Sequence, residues 1–259
     1  MKNGIGSLFD VSDRVVVITG GGGYLGQAIC ETLAGQGARV YSLRRSVSVS
    51  RNSPSIAGLT HLPCDVRQPK DFAKTLEKIL KKEKKIDTLI NNANDTQRER
   101  WEELNLKKWR DGFRGSLDHY FSCAQVALPY LVKSGSGVIV NVASIFGFLA
   151  PDQRVYPRDI RGPTAHHAAA KAGIIQLTRY LAVKFASCNL RVNSISPGWF
   201  PKPGSRERPA YLRRIAEKIP LQRIGRAPEI GGPVLFLVSR ASEYMTGQNL
   251  VVDGGYSTW

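Results

Sequence analysis

The sequence predicts an α/β fold built on a doubly wound parallel sheet of about seven strands, with helices on both faces. Three observations carry this reading. Short β-branched apolar runs alternate with amphipathic helical runs along the whole chain. Glycines cluster at the first strand-to-helix turn. No internal repeat and no Pro/Ser-rich linker divides the 259 residues, so residues 1–259 read as one domain.

The elements follow in order. Residues 14–19, Arg-Val-Val-Val-Ile-Thr, read as a strand. A helix then places Leu25, Ile29, Leu33 and Ala34 on one face and stops at Gly35 and Gly37. Residues 38–43 read as the second strand and the polar residues 46–55 as a loop. Residues 59–66 are a strand, and 68–85 a helix with Phe72, Leu76, Ile79 and Leu80 inward. Strands at 86–90, 137–142, 190–196 and 249–252 alternate with two helical stretches in 101–133, a long helix at 164–187 and a helix at 228–239.

Composition narrows the function classes. Hydrophobic residues make up 42% and charged residues 22%, which excludes a disordered chain. Thirty-seven Lys and Arg against 21 Asp and Glu give a formal charge of +16, which favours anionic partners. The basic stretch 206–226 has no interleaved aromatic beyond Tyr211, so nucleic-acid binding is not expected. Cys30, Cys64, Cys123 and Cys188 form no C-x-x-C pair, which argues against zinc and for reduced thiols in a cytoplasmic protein. Residues 1–9 lack an apolar signal core, and no apolar run reaches the ~20 residues that span a bilayer. No membrane association is expected.

The first turn carries the clearest chemistry. Gly21-x-Gly23-x-x-Gly26 follows a strand, opens a helix and is completed by a second strand, which is the dinucleotide-binding context of a Rossmann-like fold. Glycines let the backbone approach a pyrophosphate, and the helix N-terminus supplies free N–H groups. Where an acidic residue would accept from a ribose 2′-hydroxyl, the second strand ends in Leu43-Arg44-Arg45-Ser46. Two guanidinium groups suit a 2′-phosphate instead, so NADP(H) is the expected cofactor.

From residue 14 to 256 the chain resembles a single-domain short-chain dehydrogenase/reductase. Thr19-Gly20-Gly21-Gly22-Gly23-Tyr24-Leu25-Gly26 resembles that family's glycine motif, whose short-branch form would place Gly where Tyr24 stands. Cys64-Asp65-Val66 is similar to its adenine-side Asp-Val, and Asn91-Asn92-Ala93-Asn94 to its N-N-A-G. Asn141-Val142-Ala143-Ser144 ends the fifth strand where the family keeps a catalytic Ser, and Pro197-Gly198 follows the sixth as its nicotinamide-side P-G does. The resemblance implies an NADP(H) site made by Gly20, Gly23, Tyr24, Leu25, Gly26, Arg44, Arg45, Asp65, Val66, Asn92, Ala93, Lys171, Pro197, Gly198 and Phe200. It also implies a homo-oligomer, tetramer or dimer.

The family's proton-transfer machinery is a Ser, an Asn and a Y-x-x-x-K pair on one helix face. Here the segment reads His166-His167-Ala168-Ala169-Ala170-Lys171-Ala172-Gly173, which places Lys171 in register and His167 at the Tyr position. Counted from Trp109, the Asn position falls on Ser116. The resemblance therefore implies Ser144, His167, Lys171 and Ser116 as the catalytic set. An imidazole is shorter than a phenol and, one turn from a Lys cation, favours its neutral form. Three readings stay open: a working carbonyl reductase or alcohol dehydrogenase, a dehydratase, isomerase or cyclase with His167 as base, and a non-catalytic nucleotide-binding protein.

Two further segments bear on substrate. An insert at 150–163, longer than the family's usual Ser-to-Tyr spacing, contains Tyr156, Arg154, Arg158 and Arg161. It resembles an insertion in a branch linked to bacterial surface-sugar biosynthesis. The lid region 198–220 holds Trp199, Phe200, Arg206, Arg208, Tyr211, Arg213 and Arg214. Arginines and aromatics together point to a small anionic or sugar-like substrate, with Tyr156 a candidate to reach the space that a shorter His167 leaves.

Overall fold

The computed structural model describes residues 4–46, 56–94, 99–157, 160–204 and 209–259. After a single turn, α1 (Ile5–Leu8), the chain enters β1 (Val15–Thr19), whose five residues are all buried. An apolar strand buried on both faces belongs in a parallel sheet covered by helices. The glycine turn leads into α2 (Tyr24–Gly35), then β2 (Arg39–Arg44) and β3 (Leu59–Pro63). Next, α3 (Pro69–Glu83) starts on a proline, where the missing N–H costs no hydrogen bond, and ends on Lys84 in the left-handed region, φ 65°. β4 (Thr88–Asn91) precedes α4 (Leu106–Phe113) and α5 (His119–Lys133), which are joined by a π-helical turn, Arg114–Asp118. The chain closes with β5 (Val138–Val142), α6 (Ala165–Phe185), β6 (Arg191–Pro197), α7 (Pro209–Glu217), α8 (Pro228–Val238) and β7 (Asn249–Val252).

All seven strands form one sheet in the order β3-β2-β1-β4-β5-β6-β7, and every pairing is parallel. This is the doubly wound architecture that the alternating pattern predicts. One core packs Phe72, Leu76 and Ile79 of α3 with Leu131 of α5 and Leu181 of α6 against one face. The other packs Ile29 and Leu33 of α2 with Ile230, Val234 and Leu237 of α8 against the opposite face. The strand order reverses between β1 and β4, and a crevice opens there beyond the carboxyl ends of the strands.

Several boundaries differ from the sequence reading. The third strand ends at Pro63, not at 66. The Cys64 N–H still reaches the Arg44 carbonyl (2.9 Å), but the Asp65 N–H turns to the Asp71 carboxylate in the first turn of α3 (2.7 Å). The two helical stretches of 101–133 run almost continuously through the π turn. α7 lies inside the lid region, where arginines dilute the apolar pattern, yet it buries Tyr211 and Ile215. Of the sequence-stretch assignments, loop residues 47–55 and Arg158, Arg206 and Arg208 lie outside the described residues.

The reversal point is tied by side chains. Thr19 Oγ1 accepts from the backbone N–H groups of Asn92 and Ala93, both at 3.0 Å. Asn92 Nδ2 donates back to the carbonyls of Thr19 (3.2 Å) and Gly20 (3.0 Å). Thr19→Val keeps the shape and removes the acceptor from two N–H groups. It should cost about 2 kcal/mol and lower Tm by roughly 4–8 °C in calorimetry, whereas Thr19→Ser should stay near wild type.

Candidate active site

The crevice is a cleft of about 770 Å³ running from the glycine turn to Pro197 and Gly198. Gly20 has φ +65°, and a Cβ there would stand 2.7 Å from Ala93 Cα. A Cβ on Gly26 would meet the Gly20 carbonyl oxygen at 2.3 Å, so the helix start and the turn can close together only around glycine. Gly23 caps α2 with no side-chain bond to the first-turn N–H groups, which leaves them for an anion. Gly20, Gly23, Tyr24, Leu25 and Gly26 all line the cleft, and the Tyr24 hydroxyl accepts from the Ala227 N–H at 3.4 Å.

At one end stand Arg44, Arg45, Asp65 and Val66. The Arg44 stem lies over Gly22, where a Cβ would sit 3.1 Å from its Cδ. Arg44 Nε is buried and has no hydrogen-bond partner, an orphaned donor at the mouth of an anion-shaped cradle. Asp65 accepts from Arg67 Nε (3.0 Å) and a terminal Arg67 nitrogen (2.8 Å), which holds its carboxyl below the usual range, with Arg45 adding a smaller electrostatic pull. Arg67 also lines the cleft. It was not singled out in the sequence, although it stands two residues after Asp65.

The other end gathers Asn92, Ala93, Ser144, His167, Lys171, Pro197, Gly198 and Phe200. Ser144 follows β5, and its Oγ accepts from the Phe146 N–H at 3.2 Å, leaving its own hydroxyl hydrogen for another acceptor. Thr164 caps α6 by accepting from the His167 N–H at 3.4 Å. His167 and Lys171 follow one turn apart on that helix. Lys171 is 3% exposed, and its Nζ donates to the Val142 carbonyl at 2.8 Å and to the Tyr120 hydroxyl oxygen at 3.5 Å. Burial pulls its pKa down to about 7.

Ser116 is placed differently from the other three candidates. It is fully buried in the π turn, its Oγ has no hydrogen-bond partner, and it does not line the cleft. Gly115 and His119 face the cleft from that stretch instead. His119 Nε2 lies 2.9 Å from the Ala93 carbonyl oxygen and Nδ1 3.4 Å from that of Arg114, and desolvation lowers its pKa. No motif in the sequence marks His119 or Tyr120.

The insert does not present its described arginines to the cleft. Arg154 bonds Asp152 (2.8 Å), which also pairs with Lys218, and Arg161 bonds Glu103 (3.1 Å). Each of these two side chains is engaged by a carboxylate of its own chain and not by the cleft. Tyr156 packs its ring near Trp199 and Tyr211, at 6.0 and 5.9 Å, and is not among the residues lining the cleft.

Residues 24–257 match a family profile described as enoyl-(acyl carrier protein) reductase. The chain is 31% identical over 249 residues to the 3-oxoacyl-[acyl-carrier-protein] reductase of Thermotoga maritima, covering 93% of this chain and 97% of that one. This chain belongs to the short-chain dehydrogenase/reductase superfamily. Among solved members of this superfamily, a short-chain dehydrogenase from Leptospira borgpetersenii with bound NAD+ superposes with a TM-score of 0.84 at 32% identity, covering 95% of this chain and 93% of that one. A gluconate 5-dehydrogenase from Burkholderia cenocepacia in complex with NADP and tartrate superposes with a TM-score of 0.86 at 26% identity, covering 98% of each. The relatives of this short-chain dehydrogenase/reductase that carry an activity in their names are oxidoreductases. Among the described residues no helix is long and apolar enough to cross a membrane, and no cluster of His, Cys, Asp and Glu is arranged to hold a metal.

The buried Lys171 makes fold stability depend on pH with a definite sign. Its folded pKa lies below the unfolded value, so the penalty for burying the ammonium is full below about 7 and fades as pH rises toward the unfolded pKa. Lys171→Met should raise the Tm of the nucleotide-free protein by about 5 °C at pH 6, and the gap should close toward pH 10. Melting curves across that range check it.

Proposed function

We propose that this short-chain dehydrogenase/reductase is an NADP(H)-dependent oxidoreductase that interconverts a carbonyl and a hydroxyl on a small anionic or sugar-like metabolite. The observation that carries the reading is a single cleft with Arg44 and Arg45 at one end and Ser144, His167 and Lys171 at the other. The bound nicotinamide would supply or accept the hydride. Gly20, Gly23 and Gly26 admit the pyrophosphate, and the first turn of α2 donates N–H groups to it. Arg44 and Arg45 take the 2′-phosphate, for which the orphaned Arg44 Nε is a ready donor. Asp65 and Val66 border the adenine, and Pro197, Gly198 and Phe200 border the nicotinamide side.

Ser144 donates its hydroxyl hydrogen to the substrate oxygen. His167 exchanges a proton with that oxygen, directly or through a water, because imidazole reaches less far than phenol. Lys171 brings positive charge to the same end of the cleft. Lys202 adds a cation at the cleft wall and favours an anionic or polyhydroxylated substrate, a chemistry consistent with the gluconate-acting relative. Ser116, sealed in the π turn, is assigned no contact with substrate. The protein is read as a cytoplasmic homo-oligomer, dimer or tetramer. Its buried unbridged cysteines fit a reducing compartment, and exposed Phe121, Tyr180 and Val183 on α5 and α6 supply apolar surface for association.

Replacing Arg44 and Arg45 together with alanine should weaken NADPH more than tenfold and leave NADH nearly unchanged, read by nicotinamide fluorescence. Equal weakening of both would assign the arginines another role.

One observation favours a second reading: an imidazole at the proton-transfer position suits a base in a dehydratase or isomerase. His167 variants separate the two. His167→Ala should slow carbonyl reduction about 10²–10⁴-fold, and His167→Tyr should retain or raise it. A native reaction abolished by His167→Tyr would instead favour the base role.

A further inference from the structure

Lys171 is a long side chain with several rotatable bonds, and its ammonium must stand at one place to serve the cleft. The structure supplies a fixed seat. The Val142 carbonyl, at the end of β5, accepts from Nζ at 2.8 Å. Tyr120, wholly buried on α5, donates its hydroxyl to the same carbonyl at 2.9 Å and turns its oxygen toward Nζ at 3.5 Å. The ammonium also lies 5.2 Å from the centre of the Tyr120 ring, within reach of its π-face. Tyr120 itself is held in place. It packs with Ala143, Ile174 and Ile175, and the His119 ring lies 4.9 Å away.

The π turn explains how position 120 reaches Lys171. An extra residue in the helical path rotates every later side chain by roughly 100° about the axis relative to an uninterrupted α-helix. The turn at Arg114–Asp118 precedes Tyr120 directly. His119 follows the turn and lines the cleft, whereas Ser116 lies buried within it. The π turn and the tyrosine therefore work as one device.

We propose that Tyr120 is the positioning residue for Lys171, seating its ammonium against the end of β5 through a ring face and a hydroxyl acceptor. The inference rests on reading Lys171 as the cation of an oxidoreductase site. The titratable groups facing this ammonium are His167 on its own helix and His119 and Tyr120 on α5, while β5 presents only the Val142 carbonyl. Burial holds Lys171 at about 7, so loss of an acceptor for its charged form should lower that value further.

The test is a pH titration of the full-length protein carrying lysine labelled with ¹³C at Cε, with Lys171 assigned by the resonance lost in Lys171→Met. Tyr120→Phe should move the Lys171 midpoint down by about half a pH unit to one unit. The alkaline limb of NADPH-dependent carbonyl reduction should move down with it, lowering kcat at pH 8 about 3–10-fold with little change in the carbonyl substrate's KM. An unchanged midpoint in folded Tyr120→Phe overturns the proposal. If that variant melts too low to titrate, wild-type protein grown on 3-fluorotyrosine weakens the acceptor without removing it, and an unmoved midpoint there overturns the proposal equally. A shifted midpoint in a protein without NADPH turnover would refute the oxidoreductase reading and keep the seat. Turnover with an unmoved midpoint would refute the seat alone.

Discussion

Everything at the cleft depends on how the ends of β1 and β4 are held. These strands are neighbours in the sheet but 71 residues apart in contact, as the Thr19 Oγ1 to Ile90 carbonyl approach shows. Their carboxyl ends must part to leave room for a ligand and yet stay in register. One threonine hydroxyl and one asparagine amide do this, because together they satisfy the backbone groups that the diverging chains leave without ladder partners. Gly20 and Gly26 complete the arrangement by tolerating contacts that no side chain could share. The first turn of α2 then points its free N–H groups into the opening.

A second polar chain runs deeper in the sheet. Asn91 donates to Asn141 across β4 and β5 at 2.9 Å, and Asn141 donates to Thr178 on α6 at 2.9 Å. This fixes α6 against the sheet about two turns beyond Lys171. A helix pinned by buried hydrogen bonds on one side holds the residues on its first turns at a constant distance from Ser144, as the proposed proton transfer would require. On the opposite, basic end, Asp65 is the one acidic side chain among the described residues that line the cleft, and it stands beside Arg45 and Arg67. It keeps these cations in place and leaves the neighbourhood positive.

The sheet, its helices and the glycine turn were legible because periodicity and glycine placement are local properties. Arg44 and Arg45 were legible because the end of a second strand is easily located. Ser144, His167 and Lys171 came from resemblance, and the structure gathers them at one end of the cleft. Ser116 shows what counting cannot reveal. Its spacing from Trp109 matches the family's Asn position, but spacing says nothing of burial, and the fold places this side chain inside the π turn. No motif marks His119 or Tyr120, so they carried no signal. The pairing of Arg161 was not legible for a different cause: its partner lies 58 residues away in sequence, and only the fold brings Glu103 to it. α7 escaped because its apolar positions are few and separated by cations.

The small cluster of Val155, Tyr211, Ile215 and Ile219 stands apart from the two cores that pack the sheet. Trp199 joins it edge-on to Tyr211 and Tyr256, while Asp152 and Lys218 tie the insert to the chain beyond α7. A cluster smaller than the two sheet cores is expected to open locally before they do, so amide exchange in this unit should run ahead of exchange in the glycine turn. Substitutions within this cluster leave the two cores that pack the sheet untouched, so this part of the chain is free to vary while the crevice between β1 and β4 keeps its shape.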